Sequence, residues 1–328
     1  MKYIQHQTLP IPVSRFVKCI GLMTCLFLSV SCSKEKRSAK AANKMQQFVI
    51  DISQYARQFD GDFIVIPQNG IELAYNNQDP ADGTCTEYVN AINGYGIEEL
   101  FYNGNYAPDY ERISMAQQLS GDKKIMVAEF VSSDNEIPDA VNRNTNEGFI
   151  CFPRSSSNYD YLQIPASPFG ENTNNITSLQ DAQNYLYLIS TDNYSNSTDM
   201  INAISATNYD VIIIDLFFGE TELTSAQIAQ LKTKANGGSR LVISYMNIGS
   251  AEKFRYYWKK GWGLHHPLWI KRKYEGYDDE FWVKFWKDEW QEIIFGNDDS
   301  YTKKIINAGF DGVYLDNVEA YYFLYYKD

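Results

Sequence analysis

The densest chemistry in the sequence lies at Val313-Tyr314-Leu315, which is followed at once by Asp316, Asn317 and Glu319. Three apolar residues behind a glycine read as a short inner strand. In a (β/α)8 barrel, carboxylates at the C-terminal ends of strands point into one shared mouth. An Asp in this place also serves as the cap of the next helix, and the stretch alone leaves both roles open. Four more acids, Glu98, Glu129, Asp215 and Glu252, stand in or just after apolar runs. Like charges in a confined site push pKa values apart, which gives a proton donor beside an ionised partner. Glycoside hydrolysis requires that pairing. Any one of the six could instead cap a helix or bind Lys or Arg; together they favour a common site.

Other chemistries find less support. The only histidines beyond the first residues are the adjacent His265 and His266, which suit neither a Ser–His–Asp triad nor a two-histidine zinc motif. No metal or other cofactor is expected. No glycine-rich phosphate loop follows any strand, which weighs against an open, doubly wound nucleotide-binding sheet.

The elements that must position these acids alternate. Apolar runs at 63–67, 97–102, 125–131, 149–152, 185–189, 211–214, 241–246 and 313–315 read as strands. Helical spacing falls at 44–59, 109–119, 135–144, 199–206, 224–235 and 300–308, with shorter helical character near 87–92. Thr224 and Gln227 form a capping box. The stretch 154–181 is rich in Ser, Asn, Pro and Gly and reads as one long loop. The excursion 254–295 carries Trp282, Trp286, Trp290 and Ile293–Ile294 at helical spacing, so part of it is expected to be helix. Eight strands with helices between them predict a single-domain α/β fold, a (β/α)8 TIM barrel over 44–328.

The N-terminal stretch reads differently. Lys2, Arg15 and Lys18 precede an apolar run of about a dozen residues, the pattern of a signal peptide. Leu28-Ser29-Val30-Ser31-Cys32 is similar to a bacterial lipobox. Residues 1–31 are therefore expected to be a lipoprotein signal peptide, Cys32 the lipidated residue and 32–43 a flexible tether. That implies a membrane association through a lipid anchor in a bacterial cell envelope. Cys85 and Cys151 remain, and their pairing is left open. The chain has 41 Asp and Glu against 29 Lys and Arg, the wrong sign for binding a phosphate backbone, so no nucleic-acid partner is expected. Its 25 tyrosines and 15% aromatic content lean towards carbohydrate, because Tyr and Trp faces stack on sugar rings.

The segments Ile213-Ile214-Asp215-Leu216-Phe217, Ser244-Tyr245-Met246-Asn247-Ile248-Gly249-Ser250-Ala251-Glu252, Phe254-Arg255-Tyr256-Tyr257-Trp258 and Trp282-Val283-Lys284-Phe285-Trp286, with the Asp316 stretch, resemble the polygalactosaminidase-like glycoside hydrolases. That group was once labelled as cysteinyl-tRNA-synthetase-related extracellular proteins. The resemblance covers 209–322. It implies Asp316 as nucleophile and Glu98 as acid/base in a retaining hydrolysis of an α-linked, amino-sugar-containing polysaccharide. It further implies that Asp215, Glu252, Arg255, Asn69, Glu129, Glu319, Asn317 and Tyr245 bind substrate. Two departures stand out. Lys284 occupies a place where many members have Asp. Segments like Ile66-Pro67-Gln68-Asn69-Gly70, Glu98-Glu99-Leu100-Phe101-Tyr102 and Val127-Ala128-Glu129-Phe130 precede the Asp316 strand here and follow it in the family, which implies a circular permutation. The alternative reading is a non-catalytic glycan-binding lipoprotein on the same barrel.

Overall fold

The computed structural model describes residues 24–326, with side chains from residue 34 onward. Residues 1–23 of the expected signal peptide lie outside the described residues, 24–31 are helical, and the side chain of Cys32 is outside what is described.

Every expected strand is present. They are β1 (Ile64–Pro67), β2 (Gly94–Tyr106), β3 (Lys124–Val131), β4 (Ile150–Arg154), β5 (Tyr185–Leu188), β6 (Val211–Asp215), β7 (Leu241–Asn247) and β8 (Gly312–Asp316). All pair in parallel, in a five-stranded sheet ordered β1-β8-β7-β6-β5 and a three-stranded sheet ordered β2-β3-β4. A parallel bridge between Gln68 and Gly96 joins the two sheets at β1 and β2. On the other side the rings of Phe152 on β4 and Tyr185 on β5 lie 5.7 Å apart. Most strand residues are buried on both faces, which is why the strands read as unbroken apolar runs.

Helices α1 (Thr24–Arg57), α2 (Thr86–Ala91), α3 (Tyr110–Leu119), α4 (Ile137–Asn146), α5 (Ser197–Ser205), α6 (Ser225–Leu231), α7 (Asp288–Ile294), α8 (Tyr301–Ala308) and α9 (Ala320–Phe323) separate most of the strands. The capping box is formed: Thr224 Oγ1 accepts from the Gln227 amide at 3.3 Å, and Gln227 Oε1 accepts from the Thr224 amide at 2.8 Å. Such caps stabilise a helix end by about 1 kcal/mol.

Two expectations give way. The stretch 32–43 lies within α1 rather than in a tether. From Ser38 it packs: Ala41 and Ala42 are buried, and the Ser38 hydroxyl donates to the Tyr321 carbonyl at 3.1 Å. Small residues let the helix approach α9 closely, and they leave no apolar stripe to read. In the excursion, Trp282 lies in a strand. Ser250–Glu252, Glu280–Val283 and Ile270–Lys273 form a small antiparallel sheet, and only α7 is helical. Trp282 stacks between Tyr274, at 4.3 Å, and Phe323, at 5.0 Å, so its spacing to Trp286 and Trp290 does not mark a helix face. Cys85 and Cys151 are both free thiols.

Candidate active site

The C-terminal ends of β8 and β1 lie side by side, and Gln68, just past β1, bridges to Gly96 near the start of β2, two residues before Glu98. Asp316 ends β8 and is half-buried. Its Oδ2 accepts from the Tyr245 hydroxyl at 2.6 Å, and its Oδ1 from the Asn317 amide at 2.7 Å. Burial pushes the Asp316 carboxyl up to about 7, the bond from Tyr245 opposes the rise and the charge of Glu98 adds to it. The backbone turn that follows is tight. Asn317 has a positive φ of 60°, and the Ile248 amide donates to the Asp316 carbonyl at 3.1 Å. Gly249 permits this approach, since a Cβ there would stand 1.9 Å from the Asn317 carbonyl oxygen.

Glu98 is presented by an irregular part of β2. Against β3 the register runs from Glu98↔Ala128 straight to Asn103↔Phe130, so the extra residues bulge out, with Glu99 at a φ of 56°. Bulges of this kind re-aim a side chain beside a site, and their unpaired backbone groups need partners. Two side chains supply them. Glu129 accepts from the amides of Phe101 at 3.0 Å and Tyr102 at 3.0 Å, and Arg112 donates to the carbonyls of Glu98 at 2.9 Å and Glu99 at 2.8 Å. The Glu98 carboxylate itself accepts from Asn69 Nδ2 at 2.9 Å and from the Tyr161 hydroxyl at 2.5 Å. Asn69 also takes the Glu98 amide on its Oδ1 at 3.0 Å, so it grips Glu98 at both ends.

Asp215 and Glu252 are held otherwise. Arg255 Nη1 meets Asp215 Oδ2 at 2.7 Å, and its Nε meets Glu252 Oε2 at 2.7 Å, with all three side chains buried. Burial opposes the Arg255 charge, but Asp215 and Glu252 more than offset it and hold the guanidinium above its ordinary pKa. One guanidinium bridging two acids makes this a fixed clamp, within which burial raises the Glu252 carboxyl against the pull of Arg255.

Of the residues expected at the mouth, Asp316 is bonded to Tyr245 and Asn317, Glu98 is bonded to Asn69, and Asp215, Glu252 and Arg255 form a third set, the clamp. Glu319 is half-buried, and burial together with the charge of Glu72 pushes its carboxyl well up. Glu129 does not line a pocket. It is fully buried, its carboxylate is occupied by the bulge amides and by Asn144 Nδ2 at 2.9 Å, and burial raises it to about 7. Its position within β3, short of the strand end, gives the reason.

Three participants were not legible in advance. Tyr161 comes from the long loop. Glu280, on the small antiparallel sheet opposite Glu252, accepts from the Ser250 hydroxyl at 3.0 Å; burial and the charges of Glu252 and Asp316 push it well up. Tyr274 donates to Asn317 Oδ1 at 3.1 Å. Only the acidic character of Glu280 was a signal, and it sat inside a stretch dominated by aromatics. Among the described residues no group of three or more His, Cys, Asp or Glu could hold a metal ion.

Three curated proteins resemble part of the chain. An uncharacterized protein of Thermotoga maritima is 31% identical over 118 residues, 36% of this chain and 35% of its own length. A Methanocaldococcus jannaschii protein, also uncharacterized, is 32% identical over 150 residues, 46% of this chain and 41% of its own. One from Deinococcus radiodurans is 32% identical over 121 residues, 37% of each. The chain thus spans less than half the length of each relative. Residues 170–328 match the glycoside-hydrolase family GH114, a match that includes Asp215, Tyr245, Glu252, Arg255 and Asp316 and stops short of Asn69 and Glu98. The similarity to this glycoside-hydrolase family thus covers the C-terminal part of the chain, a little under half of its length.

Proposed function

We propose that the protein is a retaining glycoside hydrolase in which Asp316 is the nucleophile and Glu98 the acid/base. The carboxylate of Asp316 attacks the anomeric carbon while Glu98 gives its proton to the departing glycosidic oxygen. Water then attacks the glycosyl-enzyme ester, Glu98 takes the proton of that water, and Asp316 leaves as carboxylate. The observation that carries this reading is that half-buried Asp316 at the end of β8 and buried Glu98 on β2, with β1 between the two strands, lie close enough for the charge of Glu98 to act on Asp316. Asn69, just past β1, holds Glu98, and Tyr245 and Asn317 orient Asp316.

Several finer statements belong to the same proposal. The two parallel sheets close into a (β/α)8 barrel through the β4–β5 contact. The barrel is circularly permuted relative to the family, a reading supported by the family match being confined to 170–328, with the strands that carry Asn69 and Glu98 lying before it in the chain. The substrate is an α-linked polysaccharide or oligosaccharide containing amino sugars, whose positive charge suits a mouth with an excess of acid. Cys32 carries a lipid that holds the protein in a bacterial envelope.

The test is glycan turnover. Protein beginning at Ser33 is incubated with a panel that includes α-1,4-linked galactosamine polymers, and products are read by mass spectrometry. Cleavage by the wild type, absent in Asp316→Asn and Glu98→Gln, is the expected result. Turnover surviving in both variants would remove the assignment. Binding without turnover on any glycan would replace it with the glycan-binding alternative.

A further inference from the structure

We infer that Tyr161, delivered by the long loop between β4 and β5, is a positioning residue for Glu98; this rests on the acid/base role proposed above. The Tyr161 hydroxyl donates to Glu98 Oε1 at 2.5 Å while Asn69 holds Oε2 at 2.9 Å. The terminal torsion of a glutamate is broad and confers little orientation by itself. A donor on each oxygen arrests that rotation and fixes which lone pair faces the mouth. Acid/base catalysis depends on that geometry before it depends on anything else.

The phenol is itself immobilised, which a surface-loop tyrosine need not be. Tyr161 is only 6% exposed, its ring lies 3.8 Å from that of Tyr187 at 22°, and its carbonyl accepts from the Ile189 amide at 3.1 Å. Tyr187 is in turn fixed by its hydroxyl on Gln68 Oε1 at 2.9 Å, next in sequence to Asn69. The backbone of Tyr161 has a φ of 44°. A bulky residue in the left-handed region carries strain, and such strain persists where the surroundings over-determine it, commonly at functional sites. The loop is anchored below by buried Asp210, which accepts from Lys234 Nζ at 2.9 Å, Asn172 Nδ2 at 2.9 Å and the Gln183 amide at 2.9 Å. A segment with no periodicity thus delivers one hydroxyl to the acid/base. Tyr161 also lies outside the stretch that matches the glycoside-hydrolase family.

Two probes separate positioning from general structural support. One is an α-1,4-linked galactosamine oligomer, whose leaving group needs a proton from Glu98. The other is the glycosyl fluoride of the same sugar, whose leaving group needs little help. Tyr161→Phe is expected to lower kcat/KM on the oligomer by about 10- to 100-fold while changing that on the fluoride by less than about threefold. The control, Tyr187→Phe, keeps the donor to Glu98 and is expected to change both probes alike. Equal losses on both probes in Tyr161→Phe, or none on either, overturn the inference alone. Wild type that cleaves neither probe overturns it together with the acid/base reading.

Discussion

Asp215 and Asp316 occupy the same place in the sequence pattern, one residue after a short apolar run, at the ends of β6 and β8 with β7 between them. Their surroundings differ in kind. Asp215 meets the guanidinium of Arg255, which also binds Glu252. Asp316 accepts only from neutral groups, the Tyr245 hydroxyl and the main-chain and side-chain amides of Asn317, and feels the charge of Glu98. A buried acid paired with arginine is held in a fixed ion pair. A buried acid with neutral donors retains the freedom to change state or to form a bond. Under the proposed function the contrast makes Asp316 the reacting aspartate and Asp215 part of the scaffold, and it comes from what distant segments bring rather than from the strands themselves.

The sharpest test of this contrast is activity. Asp316→Asn and Glu98→Gln should each lower turnover by about 10²- to 10⁴-fold, the span attributable to such groups, while circular dichroism spectra stay like those of the wild type. An Asp215→Asn variant with an equal loss and an unchanged fold would erase the distinction between the two aspartates.

On the clamp side the large effect should be on stability. Arg255→Leu leaves Asp215 and Glu252 buried without their cation, and urea unfolding should register a loss of about 3–5 kcal/mol. An unchanged midpoint would mean that the clamp contributes nothing to the fold.

The pH dependence of stability separates the two aspartates more finely. The Asp316 pKa of about 7 in the fold stands above its ordinary value of 3.8. The fold therefore binds that proton more tightly than the unfolded chain does, and the resulting stability is complete below about pH 4 and lost as pH rises through about 7. Asp316→Asn mimics the protonated form at every pH. Its gain in Tm over wild type should be near zero at pH 4 and larger by about 5–8 °C at pH 8. A gain independent of pH would contradict the raised pKa.

The smallest effect lies beneath the mouth. The Tyr314 hydroxyl is buried without a partner and occupies the space left by Gly96, where a Cβ would stand 1.9 Å from it. Tyr314→Phe should stabilise the protein by up to about 1 kcal/mol, because an unpaired buried hydroxyl costs desolvation with no bond in return. A loss of that size by thermal denaturation would indicate a partner for the hydroxyl in solution.

The parallel strands were legible because burial on both faces makes each one a compact apolar run, and the strand-end carboxylates were legible for the same reason. What stayed hidden depended on contacts distant in sequence. Glu129 looks like another strand-end acid, and only the bulge in β2 shows that it serves backbone amides. Tyr161 reaches Glu98 across 63 residues from a loop without pattern. Trp282 matched a helical spacing that its stacking on Tyr274 and Phe323 does not use. Residues 38–43 of α1 stayed hidden because Ser38, Ala41 and Ala42 pack without displaying an apolar stripe.

The most direct test of the central claim is to trap the glycosyl group on the protein. Glu98→Gln is incubated with an activated galactosaminyl fluoride, whose first step needs no acid and whose second step lacks its base. Peptide mass spectrometry should then find one added glycosyl unit on Asp316. An adduct on another carboxylate, or turnover with inverted stereochemistry and no adduct, would contradict the account.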